Sequence, residues 1–103
     1  MSLSANLKKG SLEMVILKLL SEQDRYVYDL TNVITKRSQN KFTVSTSSLY
    51  PAIYRLLSNN YISERQEIVE NRLRKYYHIE PSGKDYFKQL YEKYNDINKG
   101  IEL

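Results

Sequence analysis

The side chains with a chemistry in common gather in two places. A hydroxyl run, Ser45-Thr46-Ser47-Ser48, is followed at helical spacing by Tyr50, Tyr54 and Arg55. It lies in a stretch with no acid between Asp29 and Glu64, while Lys36, Arg37, Lys41 and Arg55 fall inside that gap. Farther along, Arg72, Arg74 and Lys75 occur with no acid between Glu70 and Glu80. Short hydroxyls let a backbone approach phosphate oxygens closely, and Tyr and Arg are long enough to reach base edges or phosphates. A segment carrying only positive charge therefore suits a polyanion. The plainer alternatives are helix capping for Ser45, a solvated face for the basic run and solvated hairpin charge for Arg72 and Arg74. Lys8 and Lys9 are weaker candidates of the same kind.

Other chemistries lack their parts. With no Cys there is no thiolate metal site, disulfide or thiol nucleophile, and the single His, His78, cannot build a metal site alone. Gly10, Gly83 and Gly100 are too scattered to cradle a phosphate, and no nucleophile elbow or nucleotide-binding loop is present. Asp29 near Tyr26 reads as a solvent-facing helix charge rather than half of an acid–base pair. No enzyme, cofactor or metal is expected. The net charge of +4 is too small to name a partner by itself.

The elements that must position these side chains are legible in the apolar spacing. At 103 residues, 41% hydrophobic and 27% charged, the chain suits one folded domain. It has no apolar run long enough to span a membrane and no secretory signal pattern, so a cytoplasmic protein is expected. Leu12, Val15, Ile16, Leu19 and Leu20 mark a helix over 11–21. Met14 and Leu17 fall on another side of it, which predicts contact with a second subunit. Leu30, Val33 and Ile34 mark a helix between Tyr26 and Ser38, with Lys36 and Arg37 complementing its dipole. A third helix is capped by Ser45 or Thr46 and buries Leu49, Ala52, Ile53, Leu56 and Leu57. Its opposite arc carries Ser47, Pro51, Tyr54, Arg55 and Ser58, with Tyr50 at the margin.

Residues 62–69 and 74–79 read as antiparallel strands, and Glu70 to Leu73 as a loop of more than two residues, since no Asn-Gly or Asp-Gly pair is present. Pro81 opens a final helix at its favoured first position. Phe87, Leu90, Tyr94, Ile97 and Ile101 then make a heptad seam too short to stand free. That seam can fold onto its own core. An uncovered stripe containing Tyr91 and Tyr94 would invite aggregation, so the seam predicts a homodimer.

Three helices followed by a hairpin is the order of a winged helix-turn-helix, whose third helix lies in the DNA major groove. The expected fold is mainly α with a small antiparallel hairpin. Residues 1–80 form the winged helix-turn-helix and 81–103 a C-terminal dimerisation helix of the same compact unit. The candidate DNA contacts are Ser45, Thr46, Ser47, Tyr50, Pro51, Tyr54, Arg55, Arg72, Arg74 and Lys75. Arginines on the wing are suited to an adjacent minor groove. A winged-helix module that binds protein instead of a specific DNA sequence is the alternative.

The run Leu7-Lys8-Lys9-Gly10-Ser11-Leu12-Glu13, then Tyr26-Val27-Tyr28-Asp29-Leu30, Ser48-Leu49-Tyr50-Pro51-Ala52-Ile53-Tyr54-Arg55-Leu56, Arg74-Lys75-Tyr76-Tyr77 and Pro81-Ser82-Gly83 resembles the PadR family of bacterial transcriptional regulators. With one helix after the wing, the chain is similar to the short subfamily. The resemblance implies a homodimeric, cytoplasmic repressor of a transporter or stress gene, bound to a palindromic double-stranded operator. It also implies release by a small aromatic or cationic effector. By the same resemblance Tyr94 lines a pore at the dimer centre, with Ile97, Leu17 and Met14 as wall residues; Tyr94 packing the dimer alone is the alternative. The chain departs from the family pattern at its wing, Glu70-Asn71-Arg72-Leu73, where glycines are common. It departs also at Glu80, where a hydroxyl is usual, and at Val27, where a glycine is common.

Overall fold

The computed structural model of the chain describes residues 9–41 and 43–101, and the side chains of 12–41 and 43–93 among them. Helices form where the spacing places them: α1 (Lys9–Glu22), α2 (Val27–Arg37), α3 (Thr46–Ser58) and α4 (Pro81–Ile101). Three strands, β1 (Arg25–Tyr26), β2 (Ile62–Val69) and β3 (Arg72–Ile79), make an antiparallel sheet in the order β1-β3-β2. No described helix is long and apolar enough to cross a membrane.

The core lies where α1, α2 and α3 meet the root of the sheet. Ile16, Leu17, Leu20, Leu30, Leu49, Ile53 and Leu56 are almost wholly buried, joined by Ile62, Tyr77 and Ile79 from the strands. Each large aliphatic side chain so buried contributes on the order of 2 kcal/mol. α1 is the central helix, packed against α4, α3 and β3. That position corrects the expectation for Leu17: it is 0% exposed, enclosed by the chain's own elements, and offers no surface to a second subunit.

β1 was not anticipated. Its two residues pair with β3, Arg25 opposite Tyr77 and Tyr26 opposite Tyr76, and α2 begins at the next residue. Arg25 fixes this corner from inside. Only 6% exposed, it donates from Nε to the Leu19 carbonyl at 3.1 Å, from Nη1 to Asp29 at 3.0 Å and from Nη2 to Glu22 at 2.9 Å. It thereby answers a carbonyl left open at the C-terminal end of α1. Asp29 is thus an ion-pair partner in the first turn of α2.

The hairpin also differs from expectation. Val69 pairs directly with Arg72, so the connection is the two-residue turn Glu70-Asn71, and Arg72 and Leu73 belong to β3. Both turn residues have positive φ, 51° and 63°, the backbone of a primed turn whose twist matches the strands. Strand twist has selected this geometry without the glycine that usually relieves it.

Left-handed residues also follow α2, at Gln39 and Asn40, and α3. At the end of α3, Asn60 (φ 61°) donates to the Leu57 carbonyl at 3.0 Å and Tyr61 to that of Leu56 at 3.0 Å, a Schellman closure with Asn in glycine's place. The start of α4 presses on this turn. Glu80 N–H donates to the Tyr61 carbonyl at 2.9 Å, and Ser82 Oγ to that of Asn60 at 2.8 Å. A Cβ on Gly83 would stand 2.1 Å from the Tyr61 oxygen, so only glycine fits there. Glu80, in place of a hydroxyl, accepts from Ser63 Oγ at 2.7 Å.

Candidate nucleic-acid interface

α3 presents its polar arc outward, as the spacing predicts. Ser45 is its N-cap and accepts from Ser48 N–H at 3.3 Å. Its hydroxyl also lies 2.9 Å from that of Ser47 and 3.1 Å from that of Ser48. The capping role thus occupies Ser45, while Thr46, Ser47 and Ser48 surround the helix's first turn, where amide hydrogens and dipole attract anions. Along the exposed arc Tyr50, Pro51 and Tyr54 follow, the two tyrosine rings stacked with centroids 6.3 Å apart.

Arg55 leaves this group. Its Nε donates to Glu13 Oε1 at 2.7 Å, and Tyr86 Oη donates to Glu13 Oε2 at 2.9 Å. Glu13 is only 6% exposed. The carboxylate of α1 therefore ties α3 to α4, and Arg55 serves that joint with a third of its side chain still exposed. Helical spacing gave Arg55 its angle around α3, but not a partner 42 positions away. Burial, then the bond to Glu13, pushes the Tyr86 phenol up to about 12, so it stays a donor. Its ring stacks on Tyr61 at 4.2 Å.

Facing α3 across a cleft of about 500 Å³ is the wing. Arg72, Leu73, Arg74 and Lys75 line one wall and Tyr50 and Tyr54 the other, with Tyr26, Tyr28, Tyr77 and Glu64 completing it. Arg72 and Lys75 are exposed. Arg74 is held, its guanidinium 4.6 Å from the Tyr26 ring centroid, a cation–π contact that aims it along the sheet. Lys75 Nζ stands 4.0 Å from the Glu64 carboxylate, the acid of this wall. Burial pushes the Tyr77 phenol above its ordinary value, so the inner end of the cleft carries no phenolate charge.

Sequence reasoning had not placed Tyr26, Tyr28 or Glu64 in the cleft. Tyr26 comes to it through β1, too short to show a period, and Tyr28 through the first turn of α2. Behind the wing, His78 Nδ1 lies 2.7 Å from Asp24, which also accepts from Arg65. Burial raises the Asp24 carboxyl, but the His78 and Arg65 hydrogen bonds outweigh it and hold it below its ordinary value. His78 is thus a strand surface residue, and no group of three His, Asp or Glu that could hold a metal occurs among the described residues.

A second concave surface lies between α1 and α4. Met14, Val15, Lys18, Leu19, Arg37, Phe87 and Tyr91 line a groove of about 470 Å³. The Phe87 and Tyr91 rings stack at 5.9 Å, and Tyr91 is half exposed. Of the predicted dimer residues, Met14, Phe87 and Tyr91 meet here, and Phe87 and Leu90 also pack against the chain's own core. Tyr94, Ile97 and Ile101 belong to α4, but their side chains lie outside the described residues, as do Lys8 and the side chain of Lys9.

Residues 16–89 match the sequence profile of the Transcriptional regulator PadR-like family. An uncharacterised protein of Lysinibacillus sphaericus is 31% identical over 96 residues, which make up 92% of this chain and 88% of that one. Among solved structures, a transcriptional regulator from Clostridium thermocellum superimposes with a TM-score of 0.87 at 32% identity, covering 94% of this chain and 95% of its own. Bacillus subtilis PadR, solved in complex with operator DNA, superimposes with a TM-score of 0.69 at 25% identity over 76% of this chain and 45% of its own.

Proposed function

The chain belongs to the PadR-like family, whose members are transcriptional regulators and not enzymes, and from that premise we propose that it is a cytoplasmic, homodimeric repressor of a transporter or stress gene. Residues 1–80 form the reading head and 81–103 the dimerisation helix. α3 enters the major groove of a palindromic operator, with Thr46, Ser47 and Ser45 at phosphates and Tyr50, Pro51 and Tyr54 toward base edges and backbone. Arg72, Arg74 and Lys75 bring the wing to the flanking phosphates, and the exposed part of Arg55 lies at the margin of the contact. The observation that carries this reading is the cleft between α3 and the wing, with stacked tyrosines on one wall and exposed cations on the other. The operator complex of the Bacillus subtilis relative supports it.

Two heads related by a two-fold axis meet half-sites roughly 34 Å apart. The groove of Met14, Phe87 and Tyr91 receives the partner's α4, with Leu90 at its edge and the seam continuing through Tyr94, Ile97 and Ile101. Where the two seams cross, Met14, Tyr94 and Ile97 form an apolar wall suited to a flat aromatic or cationic effector; Leu17 stands behind this wall. Such an effector releases DNA only by preferring an arrangement of the heads that does not fit the operator.

Fluorescence anisotropy with duplex from upstream of the chain's own gene, beside a scrambled duplex at two salt concentrations, tests the reading. Tight, salt-dependent binding to the native duplex alone is expected. Absence of binding at low salt refutes it and favours a protein partner for the same cleft.

A further inference from the structure

The wing ends in an apolar pair that the fold does not use. Ile68 and Leu73 stand directly opposite each other across the hairpin, one pair in from the Glu70-Asn71 turn. They are 76% and 62% exposed. The face they share starts in the core with Ile62 and Ile79, turns polar through Glu64, Gln66 and Lys75, and becomes apolar again at the tip. A strand that had only to leave the core would stay polar there. Exposed β-branched and leucine side chains on a free hairpin tip are a liability unless something covers them.

The surroundings of the pair say what covers it. Arg72 and Arg74 flank Leu73 in sequence, and Lys75 follows on its own face. Of the acids nearby, Glu67 accepts from Arg65 Nε at 2.9 Å and Glu64 lies 4.0 Å from Lys75 Nζ, which leaves Glu70, in the turn, as the acid set against Arg72, Arg74 and Lys75. An apolar centre fringed by cations matches a surface with an uncharged floor between two anionic ridges. The minor groove is such a surface, with sugar and base edges between phosphate backbones. It is about 6 Å wide, too narrow for the paired backbones of the hairpin but open to the two side chains that project from one face of its tip.

We propose that Ile68 and Leu73 contact the minor groove beside the α3 site and make the wing a reader of its floor. This rests on the regulator reading above and adds a contact of a different kind, dispersive and independent of phosphate. Apolar side chains of these types are used in minor grooves, where they pack on sugars or wedge base steps. Guanine places an amino group on that floor, so the pair favours A·T flanks.

The experiment starts from a duplex selected out of a random pool by the wild-type chain. Ile68→Thr/Leu73→Thr keeps strand propensity while removing the apolar surface, and the single variant Ile68→Thr stands in if the double variant melts early. The double variant is expected to lose about tenfold in affinity for the selected duplex, with its slope of log K against log salt unchanged. Replacing the flanking A·T pairs with G·C should weaken the wild type and leave the variant unaffected, while Leu73→Met retains wild-type binding. A folded variant that binds like the wild type, or one whose loss appears as a reduced salt slope, overturns the proposal and leaves the regulator reading standing. A wild-type chain that selects no duplex overturns both.

Discussion

The chain has two concave surfaces floored by stacked aromatic rings, and they differ in what surrounds the rings. Between α3 and the wing, Tyr50 and Tyr54 face Arg72, Arg74 and Lys75 across the cleft, with Glu64 beside Lys75. Between α1 and α4, Phe87 and Tyr91 face Met14, Val15 and Leu19, with Lys18 and Arg37 at the border. An aromatic floor says little about its occupant, since every base, ring or leucine can lie on it. The side chains facing the rings decide: cations and tyrosine hydroxyls suit a hydrated polyanion, whereas Met14, Val15 and Leu19 suit another apolar helix or a flat ligand.

The comparison is broken most directly by setting a negative charge on the first surface. Tyr54→Asp, at a position 62% exposed, should leave the melting temperature nearly unchanged. It should lower operator affinity by about a hundredfold or more, because it sets a like charge against phosphate. Wild-type anisotropy titrations would remove α3 from the interface. Next in size, Tyr91→Asp should weaken self-association by about tenfold in sedimentation equilibrium while a single head still binds a half-site duplex. Loss of half-site binding with self-association intact would exchange the roles of the two surfaces. Arg72→Ala should reduce the slope of log K against log salt by about 1, the release of the counterion at one phosphate. The smallest effect belongs to acid. The bond from Arg37 holds the Glu22 carboxyl at about 2, below its ordinary 4.5, so its contribution is complete above pH 4.5 and is lost as pH falls to about 2. In that window amide signals near Arg37 should move before those of Tyr50 and Tyr54.

How much of each surface the sequence disclosed follows the range of the interactions that build it. α3 and its outward arc were legible, because a period of 3.6 residues is written locally and Leu49, Ala52, Ile53 and Leu56 mark the buried side. The wing was legible as alternation, but its turn was misread, since Glu70 and Asn71 adopt a conformation that strand twist demands and residue type only tolerates. β1 was hidden because two residues carry no period. Arg55 and Leu17 show the other limit. Spacing gives an angle around a helix axis, whereas the Glu13 carboxylate beside Arg55 and the burial of Leu17 come from elements far along the chain.

Gly83 sets a geometry that is read far from itself. α4 runs 21 residues from Pro81, and at 1.5 Å per residue it reaches about 30 Å from the point where Gly83 touches the Tyr61 carbonyl. A methyl group there displaces the Tyr61 turn or the helix, and a helix tilt of about 5° would move an arm of that length by roughly 3 Å at its far end, close to one base-pair rise along DNA. In the two-fold pair proposed above, the spacing between reading heads would be held by the missing side chain of one residue at the pivot. On that proposal, operator spacing would be a quantity measured in base pairs but fixed by a contact that never meets DNA.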